Sequence, residues 1–384
     1  EIFTGQRTEQ LTATEQLHLQ ALEIWANGNV VAACDLWDQI LVAEPRDLLA
    51  LKMQHFNLFW LGQSQHMHDA AVRARAAYSE ETPGYANVLG IHAFALEELN
   101  RYAEAEAAGR EAVERHAEDL WGVHAVAHVL EMQGRTQEGV AWLDGPMDRW
   151  DDRNPFRCHL WWHAAMFRVE RGEFEAALEL FDTAILPNDT LFYLDIQNTA
   201  SLLARLEFIG VDVGDRWEQL VEAAESRIGD YPQIFTQPHC AMVFGRTGRA
   251  QKTAEQIEAL QPYAEDPDNS SGTLVRALVA PICHAIRDYH AGRFESAADT
   301  LHPLRYHFQP IGGSHAQRDI FQQYLINSHY RAGRLTQTRA LLDERIARYP
   351  NSFGTWKRYA EVCRELGDTN AEVRAQLEMQ RVTA

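Results

Sequence analysis

Glycine recurs between helix-forming stretches at nearly even spacing, which constrains the chain to a stack of like helical units. Ile24-Trp25-Ala26-Asn27-Gly28-Asn29 precedes Val31-Ala32-Ala33-Cys34, and Val169-Glu170-Arg171-Gly172-Glu173-Phe174 precedes Glu175-Ala176-Ala177-Leu178. Tyr289 to Phe294 before Glu295-Ser296-Ala297-Ala298, and Ala332-Gly333-Arg334-Leu335, repeat the layout. The turns align on Gly28, Gly62, Gly134, Gly172, Gly248, Gly292, Gly333 and Gly367, with Asn100 in the same slot before Arg101-Tyr102. Their separations are 34, 38, 34, 38, 76, 44, 41 and 34 residues. A helix pair buries one face by itself and gains a core by stacking, while glycine or asparagine closes the first helix in the left-handed conformation at little steric cost.

This spacing clusters on the tetratricopeptide period of about 34 residues. The expected fold class is all-α, an α-solenoid or superhelix of tetratricopeptide-like helix–turn–helix repeats. It forms one array over residues 1–384, with about ten helix pairs. Breakers such as Glu44-Pro45-Arg46-Asp47, Thr82-Pro83-Gly84 and Tyr349-Pro350-Asn351 end second helices. The double gap before Gly248 predicts a degenerate helix pair near 195–230, with Leu202, Leu203, Leu206, Trp217 and Leu220 on its apolar faces; residues 262–273 predict a loop inside the array.

With 46% hydrophobic residues among 384, the chain has material for a large core. Its net charge of −20 repels phosphate backbones and anionic lipid, so neither nucleic acid nor a membrane surface is an expected partner. No apolar run approaches the roughly 20 residues of a membrane helix, and the first residues lack signal-peptide order. The reading is a cytoplasmic protein. Its five cysteines, Cys34, Cys158, Cys240, Cys283 and Cys363, are odd in number and scattered, which excludes cysteine zinc sites and a disulfide frame. No nucleotide or flavin motif is present.

Histidine is the unusual count, 17 against 35 Lys and Arg. Counting back from each turn, His55 lies 7 residues before Gly62 and His92 lies 8 before Asn100. His124 and His128 lie 10 and 6 before Gly134, and His159 and His163 lie 13 and 9 before Gly172. His239 and His284 lie 9 and 8 before Gly248 and Gly292. First helices line the concave face of such arrays, so these imidazoles are expected to converge there. Offsets 13, 10, 9 and 6 share a stripe; 7 and 8 fall about 100 degrees away.

His124-Ala125-Val126-Ala127-His128 and His159-Leu160-Trp161-Trp162-His163 are i, i+4 pairs, each presenting two imidazoles to one point, as in helical metal sites. With Glu131 one turn further on, they offer a site for zinc or another divalent transition metal, although Ala125 stands where a metalloprotease helix has glutamate. Each histidine also has a plain structural reading as a core residue bonded to a neighbouring carbonyl. Trp121 and Trp161 supply either an apolar ligand wall or repeat packing.

In Gln309-Pro310-Ile311-Gly312-Gly313-Ser314-His315-Ala316-Gln317-Arg318-Asp319, Ser314 with Gln317 matches a capping box. The same loop also offers anion contact or a serine nucleophile. Arg318 and Asp319 follow as a charged pair, the arginine suited to a carboxylate.

Several of these segments occur in order as in the tetratricopeptide repeat protein 38 family, which the chain resembles over nearly its whole length. They are Thr14-Glu15-Gln16-Leu17-His18, Trp25 to Asn29, Asp47 to Lys52, Val123 to Met132, Cys158-His159-x-x-Trp162-His163, Arg171 to Leu178 and Gly312 to Asp319. The resemblance implies an all-helical repeat fold. It also implies a further helical region before the Glu15-Gln16-Leu17-His18 segment, and it supplies no family-wide reaction.

Two functions compete on these residues. One is a small-molecule enzyme, hydrolase-like and metal-assisted or not. Its base is His128 or His163, aided by His124, His159 and Glu131, and its substrate is held by His55, His92, Trp121, Trp161, Ser314, Gln317, Arg318 and Asp319. The other is a non-catalytic scaffold that binds a peptide in the concave groove, the usual role of such arrays. Self-association as a homo-oligomer is a further expectation.

Overall fold

The computed structural model describes residues 11–145, 155–186, 192–231 and 233–383, which contain helices, turns and no strand. The fold is an all-α array of tetratricopeptide-like helix–turn–helix repeats. All nine aligned turn residues adopt left-handed backbone, and Asn100 (φ 61°) is the one non-glycine with positive φ among the described residues. At each turn the amide three residues past the helix reaches back to the carbonyl five residues earlier, as in Asn29 N–H to Ile24 (3.2 Å), Arg101 N–H to Leu96 (2.9 Å) and Arg249 N–H to Phe244 (2.7 Å). This is the helix-closing geometry that only a left-handed residue permits.

The chain forms two compact units. The first takes the described residues up to Val126, together with Gln261–Arg276 and Gln309–Gly313. Its hairpins pair Ala13–Ala26 with Val30–Ala43, Leu48–Trp60 with Ser64–Ala77, and Tyr85–Glu98 with Tyr102–Arg115. The segment expected as a loop at 262–273 begins inside a short helix, Gln261–Glu265. It then packs on the first hairpin: the Ser270 amide donates to the Gly28 carbonyl (3.2 Å) and the Val31 amide to Ser270 Oγ (3.0 Å). Gly312 (φ 86°) lies against Trp60 so closely that a Cβ would stand 2.5 Å from the Trp60 carbonyl oxygen.

The second unit holds Ala127–Leu260, Ala277–Phe308 and Ser314–Ala384. The helix Leu120–Met132 enters it with its C-terminal half, and Arg157–Glu170, Tyr193–Phe208, His315–Arg331 and Leu335–Arg348 carry the other residues of interest. The degenerate pair is a full helix, Tyr193–Phe208, followed by only short turns at Glu218–Leu220 and Val221–Glu225. Gly139 of the helix Thr136–Asp144 faces the Phe167 ring of Arg157–Glu170 with no room for a Cβ, so the ring lies directly on the glycine backbone. No described helix is long and apolar enough to cross a membrane.

Candidate functional site

The second unit buries three imidazoles together. His128 comes from the helix Leu120–Met132, and His159 and His163 from Arg157–Glu170; all are at most 2% exposed. Their rings are centred 4.4 Å (His128–His163), 4.7 Å (His159–His163) and 6.4 Å (His128–His159) apart. A ring nitrogen from each falls within 4.8 Å of one from either other. The i, i+4 spacing of His159 and His163 does this within one helix, and neighbouring-helix packing brings His128.

Two hydrogen bonds fix these rings. His163 Nδ1 lies 2.6 Å from Glu131 Oε2, and His159 Nδ1 donates to Asn198 Oδ1 at 2.8 Å. Trp162 stacks on His159 at 5.2 Å with planes 9° apart, and its own N–H donates to Ser201 Oγ at 3.2 Å. Burial pushes His128 and His159 well below the ordinary histidine value and His163 down to about 3. Burial pushes Glu131 up to about 8, opposed by the nearby Arg205 guanidinium.

Three imidazoles at this spacing could hold a metal ion. Metal ligation needs neutral imidazoles and oriented rings, and a carboxylate or carbonyl on one ring nitrogen assigns ligation to the other. Glu131 and Asn198 do this for His163 and His159, leaving Nε2 as the ligating atom. His124 stands one turn before His128 on the same helix and packs in the first unit against Phe94 (4.9 Å) and Trp121 (5.2 Å).

Glu131 also reaches the wall of a cavity of about 60 Å³, lined further by Met166, Glu170, Asp319, Arg345 and Tyr349. Asp319 forms a two-pronged ion pair with Arg345, which together with Gln323 holds its carboxyl below the usual range despite burial. Glu170 accepts from the Phe353 amide (2.5 Å) and Ser352 Oγ (3.2 Å) at the start of the helix Phe353–Glu365, and burial raises it to about 7. A second cavity of about 40 Å³ shares Glu170 and Arg345 and adds Arg205 and Arg358.

The remaining expected site residues have local partners. In the first unit, Trp121 Nε1–H donates to His55 Nε2 (3.2 Å) beneath the Lys52 ammonium, 3.5 Å from the ring centre. His92 lies beside Arg75 (3.4 Å) and the His68 ring, and burial lowers it to about 4. Ser314 and Gln317 form the capping box of the helix His315–Arg331, each side chain bonding the other's amide (3.2 and 2.9 Å). Arg318 turns to His315 (3.2 Å) while Asp319 pairs with Arg345, so the adjacent arginine and aspartate face different partners. Trp161 is buried on its helix, but the ring stacked on an imidazole is that of Trp162. His239 donates from Nδ1 to the Phe235 carbonyl (2.9 Å), the plain structural role.

Asn198, Glu170, Arg205, Arg345 and Arg358 had no place in the sequence reading. One signal was available for Arg205, a lone cation in the apolar run Leu202-Leu203-Ala204-Arg205-Leu206.

No family model matches the chain. Among solved structures it is similar to the P58(IPK) TPR domain (10% identity, 96% of this chain and 93% of that one, TM-score 0.26). It is also similar to the human IFIT1 dimer with PPP-AAAA (15%, 95% and 81%, 0.44) and to a tetratricopeptide repeat protein from Parabacteroides merdae ATCC 43184 (11%, 77% and 91%, 0.31).

Proposed function

We propose that the second unit holds a divalent transition metal on His128, His159 and His163. The protein then performs hydrolase-like chemistry on a small molecule. The observation that carries this reading is the pair of anchored rings, His163 on Glu131 and His159 on Asn198, directed with His128 at one buried point. A bound ion supplies Lewis acidity there. Glu131 orients His163 and carries that centre to the cavity wall; Trp162 and burial exclude water from the rings. The ordered motifs support membership of the tetratricopeptide repeat protein 38 family. Five free, buried cysteines support a reducing, cytoplasmic setting.

Metal analysis of protein purified without a His tag or chelator is the test. About one equivalent of zinc or a neighbouring metal is expected, falling at least tenfold in a His128→Ala/His163→Ala double variant. Less than a tenth of an equivalent in the parent protein removes the reading.

The repeat fold itself favours a second reading, a non-catalytic scaffold that takes a peptide in its groove. A stoichiometric protein partner, captured equally by parent and double variant, would establish that role.

A further inference from the structure

We infer that the cavity walled by Arg205, Arg345 and Arg358 binds the carboxylate group of a small organic acid whose apolar body extends into the adjoining cavity. The inference goes beyond the metal reading and requires none of the three imidazoles.

The charges of the three guanidiniums are not equally matched. Arg345 has Asp319 and Arg358 has Glu361. Arg205, only 3% exposed, gives its terminal nitrogens to the backbone carbonyls of Ser201 (3.2 Å) and Ala316 (2.8 Å), and its Nε meets no acceptor. Asp319 and Glu131 act on this guanidinium without bonding to it, and a buried guanidinium hydrogen-bonded to carbonyls alone favours a directly bonded anion. The one carboxyl group that shares this cavity, Glu170, already accepts from the Phe353 amide and Ser352. Burial raises Glu170 to about 7, so near neutrality it supplies only part of a counter-charge.

Size and lining select the ligand. A volume of about 40 Å³ suits a single carboxylate rather than a larger phosphoester. The neighbouring cavity of about 60 Å³ offers Met132, Met166, Phe167 and Tyr349 to an apolar body. Glu170 lines both cavities and Asp319 the neighbouring one, and their charge would repel a dianion. Arginine's planar fork is matched to the two oxygens of a carboxylate.

Calorimetric titration with butyrate, butyramide and inorganic phosphate tests this on the full chain. Butyrate is expected to bind once per chain and at least tenfold more tightly than butyramide, with phosphate weaker than butyrate. Arg205→Gln should cost butyrate at least tenfold and leave butyramide unchanged, while Arg334→Gln, at an exposed pair with Asp299, should change neither. Equal binding of butyrate and butyramide by the parent protein overturns the inference without any variant; so does tighter binding of phosphate, or an Arg205→Gln protein that keeps full butyrate affinity. The His128→Ala/His163→Ala protein separates the two readings: it should lose metal and keep butyrate, and loss of butyrate there would refute the independence of this site.

Discussion

The two units bury polar side chains in different company. In the first, Lys52, His55 and Trp121 interlock as cation, imidazole and indole, the ammonium over the indole ring and the indole N–H on the imidazole. In the second, His128, His159 and His163 face one another, backed by Glu131 and Asn198. Both clusters come from helices of the same repeat type, and their histidines look alike in sequence. The difference lies in the residues packed opposite: His55 meets the Phe94 and Trp121 rings, whereas His128, His159 and His163 meet one another.

Substitutions at matched places sharpen this contrast. The largest effect is expected at Trp162, fully buried and stacked on His159. Trp162→Ala should cost about 3–5 kcal/mol in denaturant unfolding and lower metal content. His55→Ala should leave metal content unchanged; a parallel loss would erase the distinction between the units.

Next is Gly312→Ala, where left-handed backbone and the Trp60 carbonyl both oppose a side chain. It should destabilise by about 2–3 kcal/mol, against about 1 kcal/mol for Gly248→Ala, whose left-handed turn has nothing within 4 Å. Equal losses would show that the Gln309–Gly313 segment does not pack on Trp60.

The pH dependence should run in opposite directions. Glu170 is raised from 4.5 to about 7, so the folded state binds the extra proton; its contribution is present below pH 4.5 and lost as pH rises to about 7. Lys52 is lowered by burial from 10.5 to about 8, so the unfolded state binds the extra proton and stability is recovered as pH rises from about 8 to 10.5. Against the parent, Glu170→Gln should gain about 3 kcal/mol between pH 4.5 and 8. Lys52→Met should be relatively most stabilising at pH 7 and lose about 3 kcal/mol of that advantage by pH 10.5. Flat difference curves in chemical denaturation would contradict either assignment.

The smallest effect is expected for Arg101→Ala, whose exposed contacts with Glu104 and His68 should leave thermal unfolding almost unchanged. A larger loss in thermal unfolding would mean that this turn carries more than a surface pair.

What was legible in the sequence was local. A left-handed turn is announced by its own glycine, and Asn100 took that slot because asparagine tolerates the same backbone. The i, i+4 histidines had to share a face, and Ser314 with Gln317 had to form a cap, because both follow from helix geometry alone. Arg205, Asn198 and Arg345 reach the site by packing between distant helices, which no short spacing encodes. The return of Ser270 to Gly28 and Val31 was hidden for the same reason, and its polar residues read as an ordinary loop. Sequence register set His55 and His92 about 100 degrees from the stripe of His128 and His163, but it reports the face of a helix and not the residue opposite, so it did not say which of these rings would meet.

Anomalous diffraction from crystals of tag-free protein tests the central claim most directly. The account predicts one strong transition-metal peak about 2.0–2.1 Å from Nε2 of His128, His159 and His163. Density showing the three rings hydrogen-bonded to one another or to water, with no anomalous signal after soaking in zinc, would contradict it.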